Sequence, residues 1–178
     1  MKGTSWFSKM TGMSMKLENL NDLLVAQLED LYSAEIQLID ALPKMEQAAQ
    51  SAELKTAFRN HLAETQRQKQ RMERIFELIG HSPQKETCEA MQGLISEGEE
   101  IINAEGDPEV KDAALIAAGQ RVEHYEMAGY GCARTFAHRL GHHEAGELLQ
   151  ETLNEEGNAD KLLSQIAERS VNLHAARS

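Results

Sequence analysis

Four stretches of the chain carry apolar residues at alternating three- and four-residue steps, and each breaks that stripe with a glutamate near its middle. In the first, Leu24, Leu28, Leu31, Leu38 and Leu42 form the stripe and Glu35 lies between them. The second reads Leu54, Phe58, His61, Glu64, Gln68, Met72, Ile75 and Ile79. The third is Leu115, Val122, Glu126, Gly129, Ala133, Phe136 and Leu140, and the fourth Ala145, Leu148, Thr152, Glu155, Ala159, Leu162 and Ile166. Such spacing gives a helix one apolar face that is buried by packing on other helices. No stretch shows the period of two that marks a half-buried strand. The expected fold class is all-α, with four helices long enough for a bundle.

Breakers and caps set the expected ends. The first helix spans about Leu20 to about Gln50, with Pro43 as a kink or local break. Ser51 caps a second that closes at Gly80. Ser82 followed by Pro83 opens a shorter third helix ending near Gly106. Asp107 and Pro108 open the fourth, which Gly141 closes, and the fifth runs from about His143 to about Asn172. Residues 1–16 read as a flexible leader, and residues 17–174 as one bundle domain.

Spacing relates the helices to one another. Glu35 to Glu64 and Glu126 to Glu155 are both 29 residues apart, and sliding the chain by 91 residues superposes the first pair on the second. The same shift lays Leu31 on Val122 and Ile75 on Ile166, although few positions are identical. The pattern is two helical hairpins related by a pseudo-twofold, with the short third helix in the crossover.

Charge and composition exclude several functions. A formal net charge of -11 argues against nucleic acid and against an anionic membrane surface as partners. No apolar run is long enough to span a membrane. Two separated cysteines, Cys88 and Cys132, fit a reducing cytoplasm better than a disulfide framework. There is no glycine-rich phosphate loop, Cys-x-x-Cys pair or G-x-S-x-G elbow.

A single carboxylate on an apolar stripe costs several kcal/mol to bury, and is ordinarily neutralised or satisfied by a hydroxyl, an arginine or a water. Four at matched depth add mutual repulsion. Arg67 and Arg71 are near enough to the second stripe to offset one or two charges. Two metal ions would offset all four, using the carboxylates as hard oxygen ligands. A structural polar layer is the alternative.

The motifs "DLYSAE", "HLAETQ", "DAALIAAGQRVEHYEMAGYG" and "ETLNEEGNAD" resemble the bacterial YciE/YciF-type stress-protein family, within the ferritin-like di-iron and di-manganese carboxylate superfamily. The likeness covers about Leu17 to Val171. It implies a ferritin-like four-helix bundle, a homodimer, a bacterial cytoplasmic setting and two bound Fe or Mn ions. Glu35 and Glu126 match superfamily ligands on the first and fourth helices, and Glu64 and Glu155 those on the other two. The superfamily places a histidine three residues after the latter pair. Here those positions are Arg67 and Asn158, so His61, one turn before Glu64, is the expected nitrogen ligand or else a core histidine. Glu123, one turn before Glu126, is an extra oxygen ligand or a flank residue. Glu156 and Asp160 read as a solvated face. Tyr32, Tyr125 and Tyr130 fall within a turn or two of the cluster, as ligand-orienting or simply packed groups. The implied activity is O₂- or peroxide-linked redox chemistry, as a di-metal oxidoreductase. Set against it are a non-enzymatic helical stress or interaction protein and, less favoured, an iron-storage subunit.

Overall fold

The computed structural model describes residues 17–84 and 86–177; the expected leader lies outside them. Every regular element among these residues is helical: α1 (Leu20–Ala48), α2 (Ala52–Leu78), α3 (Glu89–Asn103), α4 (Pro108–Arg139) and α5 (His143–Ile166). After α5 come a π-helical turn (Ala167–Val171) and a last short α6 (Asn172–Ala175), where the sequence predicts a plain continuation. α1 packs chiefly on α2, and α4 on α5; the two hairpins then meet through α1–α4 and α2–α5. This is the bundle of two hairpins expected from the stripes.

Most caps are those predicted. The Ser51 side chain accepts from Leu54 N, and Asp107 accepts from Glu109 N and Val110 N. α2 ends with Gly80 at φ 68°, where Gly80 N–H donates to Glu77 O and His81 N–H to Phe76 O. Gly141 (φ 85°) repeats the arrangement at the end of α4, with Gly141 N–H on His138 O and His142 N–H on Ala137 O. Only glycine adopts this left-handed geometry without strain. α1 continues through Pro43, so that residue does not end the helix.

The third helix differs from its prediction. It starts at Glu89 with Cys88 as N-cap, not at Ser82–Pro83. The connecting residues instead lie along α1, whose side chains satisfy them. Glu29 takes His81 Nε2 at 3.0 Å and Gln84 N–H at 3.3 Å; Ser33 Oγ takes Cys88 N–H at 2.9 Å; and Gln37 Nε2 donates to Cys88 O at 3.2 Å. With these groups paired by α1, the segment gains little from becoming helical.

The core is in two parts. One contains Leu38, Leu42, Phe58, Leu115, Ile116, Leu163 and Ile166; the other contains Leu24, Leu28, Leu31, Met72, Ile75, Tyr130 and Leu149. Along each long helix the change from one part to the other falls at buried polar residues: Glu35 on α1, His61 to Gln68 on α2, Glu123 and Glu126 on α4, Glu156 on α5. Gly129 sits where α1 and α4 approach closely, since a Cβ there would meet Leu31 Cδ2 at 2.7 Å. Gly93 and Gly98 in α3 have open space at the corresponding position.

Candidate metal centre

His61, Glu123, Glu126 and Glu156 each present a ligand atom, and these four atoms lie within 4.8 Å of one another. All four residues are buried, with Glu156 fully so. Glu35, also fully buried, adjoins them and accepts a hydrogen bond from the Tyr130 hydroxyl. Gln68 closes the layer, donating its amide to Glu156 Oε1 at 2.5 Å and to Glu155 Oε2 at 3.1 Å.

Of the six residues predicted from sequence, Glu35, His61, Glu123 and Glu126 are brought into this layer, and Glu64 and Glu155 are not. Glu64 is 36 % exposed, 3.9 Å from His61 Nδ1 and 3.9 Å from Arg67. Glu155 points along the outside of the layer, where Arg71 holds it at 2.8 Å. The α5 carboxylate that faces inward is Glu156, read from sequence as solvated. Heptad spacing alone leaves α5 with two phases one residue apart, and the burial of Leu149, Glu156 and Leu163 selects the second.

This register breaks the predicted symmetry. Shifting Glu156 back by 91 residues gives Thr65, which is buried and bonds its hydroxyl to His61 O at 2.9 Å. α2 thus supplies an imidazole and an amide where α5 supplies a carboxylate. Of the tyrosines, Tyr130 alone touches a residue of the layer. Tyr125 donates to Asp30 and lies 3.0 Å from Cys88 Sγ, and Tyr32 donates to Glu73 at 2.9 Å. His124, His138, His142 and His143 stay outside the layer, none of them buried.

Electrostatics mark the layer as unfinished. Burial first, then the Glu156 charge, pushes the Glu35 carboxyl up to about 8, against the Tyr130 hydrogen bond. Burial and neighbouring carboxylates hold Glu126 well above the usual range; burial also raises Glu123 and Glu156, against the pull of His61. Burial acting alone would lower the His61 imidazole, but Glu123, Glu64, Glu156 and Glu35 together push it up to about 10. The nearest of these, Glu123 Oε1, is 3.3 Å from His61 Nε2.

Among the described residues, the buried side-chain atoms without a hydrogen-bond partner are Glu35 Oε2, both ring nitrogens of His61, Gln68 Oε1, Glu123 Oε2, both oxygens of Glu126, and Glu156 Oε2. Every one of them belongs to this layer. Unpaired buried polar atoms each cost about 1–3 kcal/mol, and native folds tolerate few. Here they converge, and they include the oxygens of three carboxylates and an imidazole, groups that bind a divalent cation once deprotonated and that lie within reach of a single ion. The donor set fits a metal.

A helical bundle of two hairpins that sequesters a carboxylate and histidine layer at mid-height defines a ferritin-like class of protein. Within it, residues 19–176 match the family described as "Domain of unknown function (DUF892)", and the chain belongs to that family. It is 43 % identical to protein YciF of Escherichia coli (strain K12) over 162 residues, covering 90 % of this chain and 98 % of that protein. The crystal structure of the E. coli stress protein YciF superposes with a TM-score of 0.85, covering 88 % of this chain and 99 % of that one. YcfI of Rhodopseudomonas palustris is 39 % identical with a TM-score of 0.82, covering 86 % of this chain and 98 % of its own. A protein from Xanthomonas campestris pv. campestris shares the fold at 22 % identity and a TM-score of 0.70, covering 89 % and 98 %.

Proposed function

We propose that the chain is a metal-carboxylate protein whose buried layer binds Fe or Mn and takes part in O₂- or peroxide-linked redox chemistry under stress. The observation that carries this is the convergence of unpartnered donors on His61, Glu123, Glu126 and Glu156. These four residues would hold one ion, and Glu35 is the further carboxylate that a second would need. When bound, such ions supply the one-electron steps that dioxygen or peroxide reduction requires.

The chain's own residues set the conditions. The two apolar parts of the core exclude bulk water from above and below the layer. Tyr130 orients Glu35, and Gln68 orients Glu156 without adding charge. The stress role named for E. coli YciF extends to this chain in the same reading, with a cytoplasmic setting and a homodimer as the assembly. No helix among the described residues is long and apolar enough to cross a membrane, which is compatible with that setting.

Elemental analysis tests the reading: protein purified without chelators, then reconstituted with Fe(II) or Mn(II), beside Glu126→Ala and Glu156→Ala variants. One to two equivalents in the parent, lost in both variants, are expected. Traces in all three samples would remove the metal reading. A non-enzymatic structural role is the second reading, favoured by the pairing already present in Tyr130–Glu35 and Gln68–Glu156. A loaded protein that shows no spectral change with O₂ or peroxide would select it. Light scattering of the purified chain tests the dimer.

A further inference from the structure

A cleft between α2 and α5 opens from the surface beside the buried layer and encloses about 150 Å³. Its walls are Ala57, Phe58, Ala159, Leu162 and Leu163, with Asn60 and Asn158 presenting amides. Glu64, His61 and Glu123 also line it, so two residues of the candidate centre reach this space. His61 and Glu123 are both more than nine-tenths buried, and His61 Nδ1 is without a hydrogen-bond partner 3.9 Å from Glu64 Oε2. No lysine or arginine lines the cleft. Arg67, an exposed side chain 3.9 Å from Glu64, stands outside this lining.

We propose that this cleft is the route by which a divalent cation reaches the buried carboxylates, and that Glu64 is the carboxylate that receives it at the rim. The inference rests on the metal-binding reading and adds the path and the residue that governs it. The cleft ends at the buried His61 and Glu123, so an ion that reaches them leaves part of its hydration shell behind. An ion passing through must exchange water for protein oxygens. Glu64 and the Asn60 and Asn158 amides supply them in a series that ends at Glu123. Glu64, at the exposed end of the cleft, supplies the carboxylate that draws cations toward it. Glu64 thereby acts on the rate of loading and not on the final complex, which is held by residues deeper in the bundle.

The test follows Mn(II) uptake by the metal-free full chain, read as loss of the EPR signal of free aqueous Mn(II) after mixing. Glu64→Gln should slow uptake about tenfold while final occupancy stays at the parent value. Ala159→Trp, which fills the cleft without touching charge, should slow it as well. Glu155→Gln, a comparable change on the Arg71 side, should load at the parent rate. Parent-like rates in both Glu64→Gln and Ala159→Trp would overturn the route. A reduced final occupancy in Glu64→Gln would make Glu64 a ligand and overturn its role at the rim. No uptake by the parent would instead remove the metal reading itself, and this inference with it.

Discussion

The Gln68 amide nitrogen lies 2.5 Å from Glu156 Oε1, so the inward carboxylate of α5 is held from α2 by a neutral group. A cation at position 68 would neutralise Glu156 permanently and leave it no capacity for a metal. An amide fixes the oxygen and leaves the charge available. Replacing Gln68 by Leu should therefore lower Mn(II) affinity by about tenfold to a hundredfold, the usual cost of removing a partner that orients a ligand. It should also destabilise the metal-free fold by about 1–3 kcal/mol, through the extra unpaired oxygen. Isothermal titration and urea unfolding measure the two effects. Unchanged affinity would show that Glu156 needs no support from α2.

Glu155 and Glu156 are adjacent in sequence and opposite in environment. Arg71 contacts Glu155 at 2.8 Å and Glu151 at 2.5 Å, whereas Glu156 is fully buried. Glu155→Gln should retain parent metal stoichiometry and cost about 1 kcal/mol or less, because the pair is partly solvated. Glu156→Gln should lose the metal. Native mass spectrometry of Mn-loaded samples separates them, and the opposite pattern would restore the register read from heptads alone.

That register shows where the sequence is readable and where it is not. In α1 the isolated Leu28 and Leu31 fix the phase of the stripe, and Leu31, Glu35 and Leu38 are all buried as predicted. α5 carries doublets seven residues apart: Leu148–Leu149, Glu155–Glu156 and Leu162–Leu163. Either member of each pair continues the stripe, and only the neighbours decide. Arg71 captures the first glutamate from α2, and Gln68 and His61 meet the second, contacts between residues more than eighty positions apart. Similarly, Ser82–Pro83 has every local mark of a helix start, but side chains of α1 claim the backbone groups that follow. Gln68 was legible as a stripe residue and not as a partner of the site, since no local pattern announces a buried amide.

Asp112 on α4 accepts Gln50 N–H at 2.8 Å and Ser51 N–H at 2.7 Å, and so joins the α1–α2 turn to the second hairpin. The residue is buried, and both bonds involve its carboxylate. Two charge-assisted bonds at a helix start make Asp112→Ala a loss of about 2–4 kcal/mol. Urea unfolding should show this as a lower midpoint, with Mn(II) stoichiometry in the native state unchanged. Asp112→Asn, which keeps one acceptor, should recover part of the loss. A fully stable Asp112→Ala would mean that this contact adds nothing to the joining of the hairpins.

The raised carboxyl of Glu35, at about 8, and the raised imidazole of His61, at about 10, act on stability in the same direction. In the unfolded chain these groups release their protons near 4.5 and 6.5, their ordinary values. Between about pH 6.5 and 8 the folded, metal-free protein holds protons that the unfolded chain has lost, so stability falls as pH rises. The slope is about 1.4 kcal/mol per pH unit for each extra proton held. In EDTA, Tm should therefore increase as pH is lowered from 8 to about 5.5, where many proteins show little change. Metal binding requires the same groups to be deprotonated, so loading releases protons and affinity grows with pH. With saturating Mn(II) the stabilisation by metal should be largest at pH 8, flattening or reversing the trend. Calorimetry in two buffers of different ionisation enthalpy counts the released protons. A metal-free Tm that drops on acidification over this range would show that the layer is not protonated in the fold, and would sink the electrostatic account of the site.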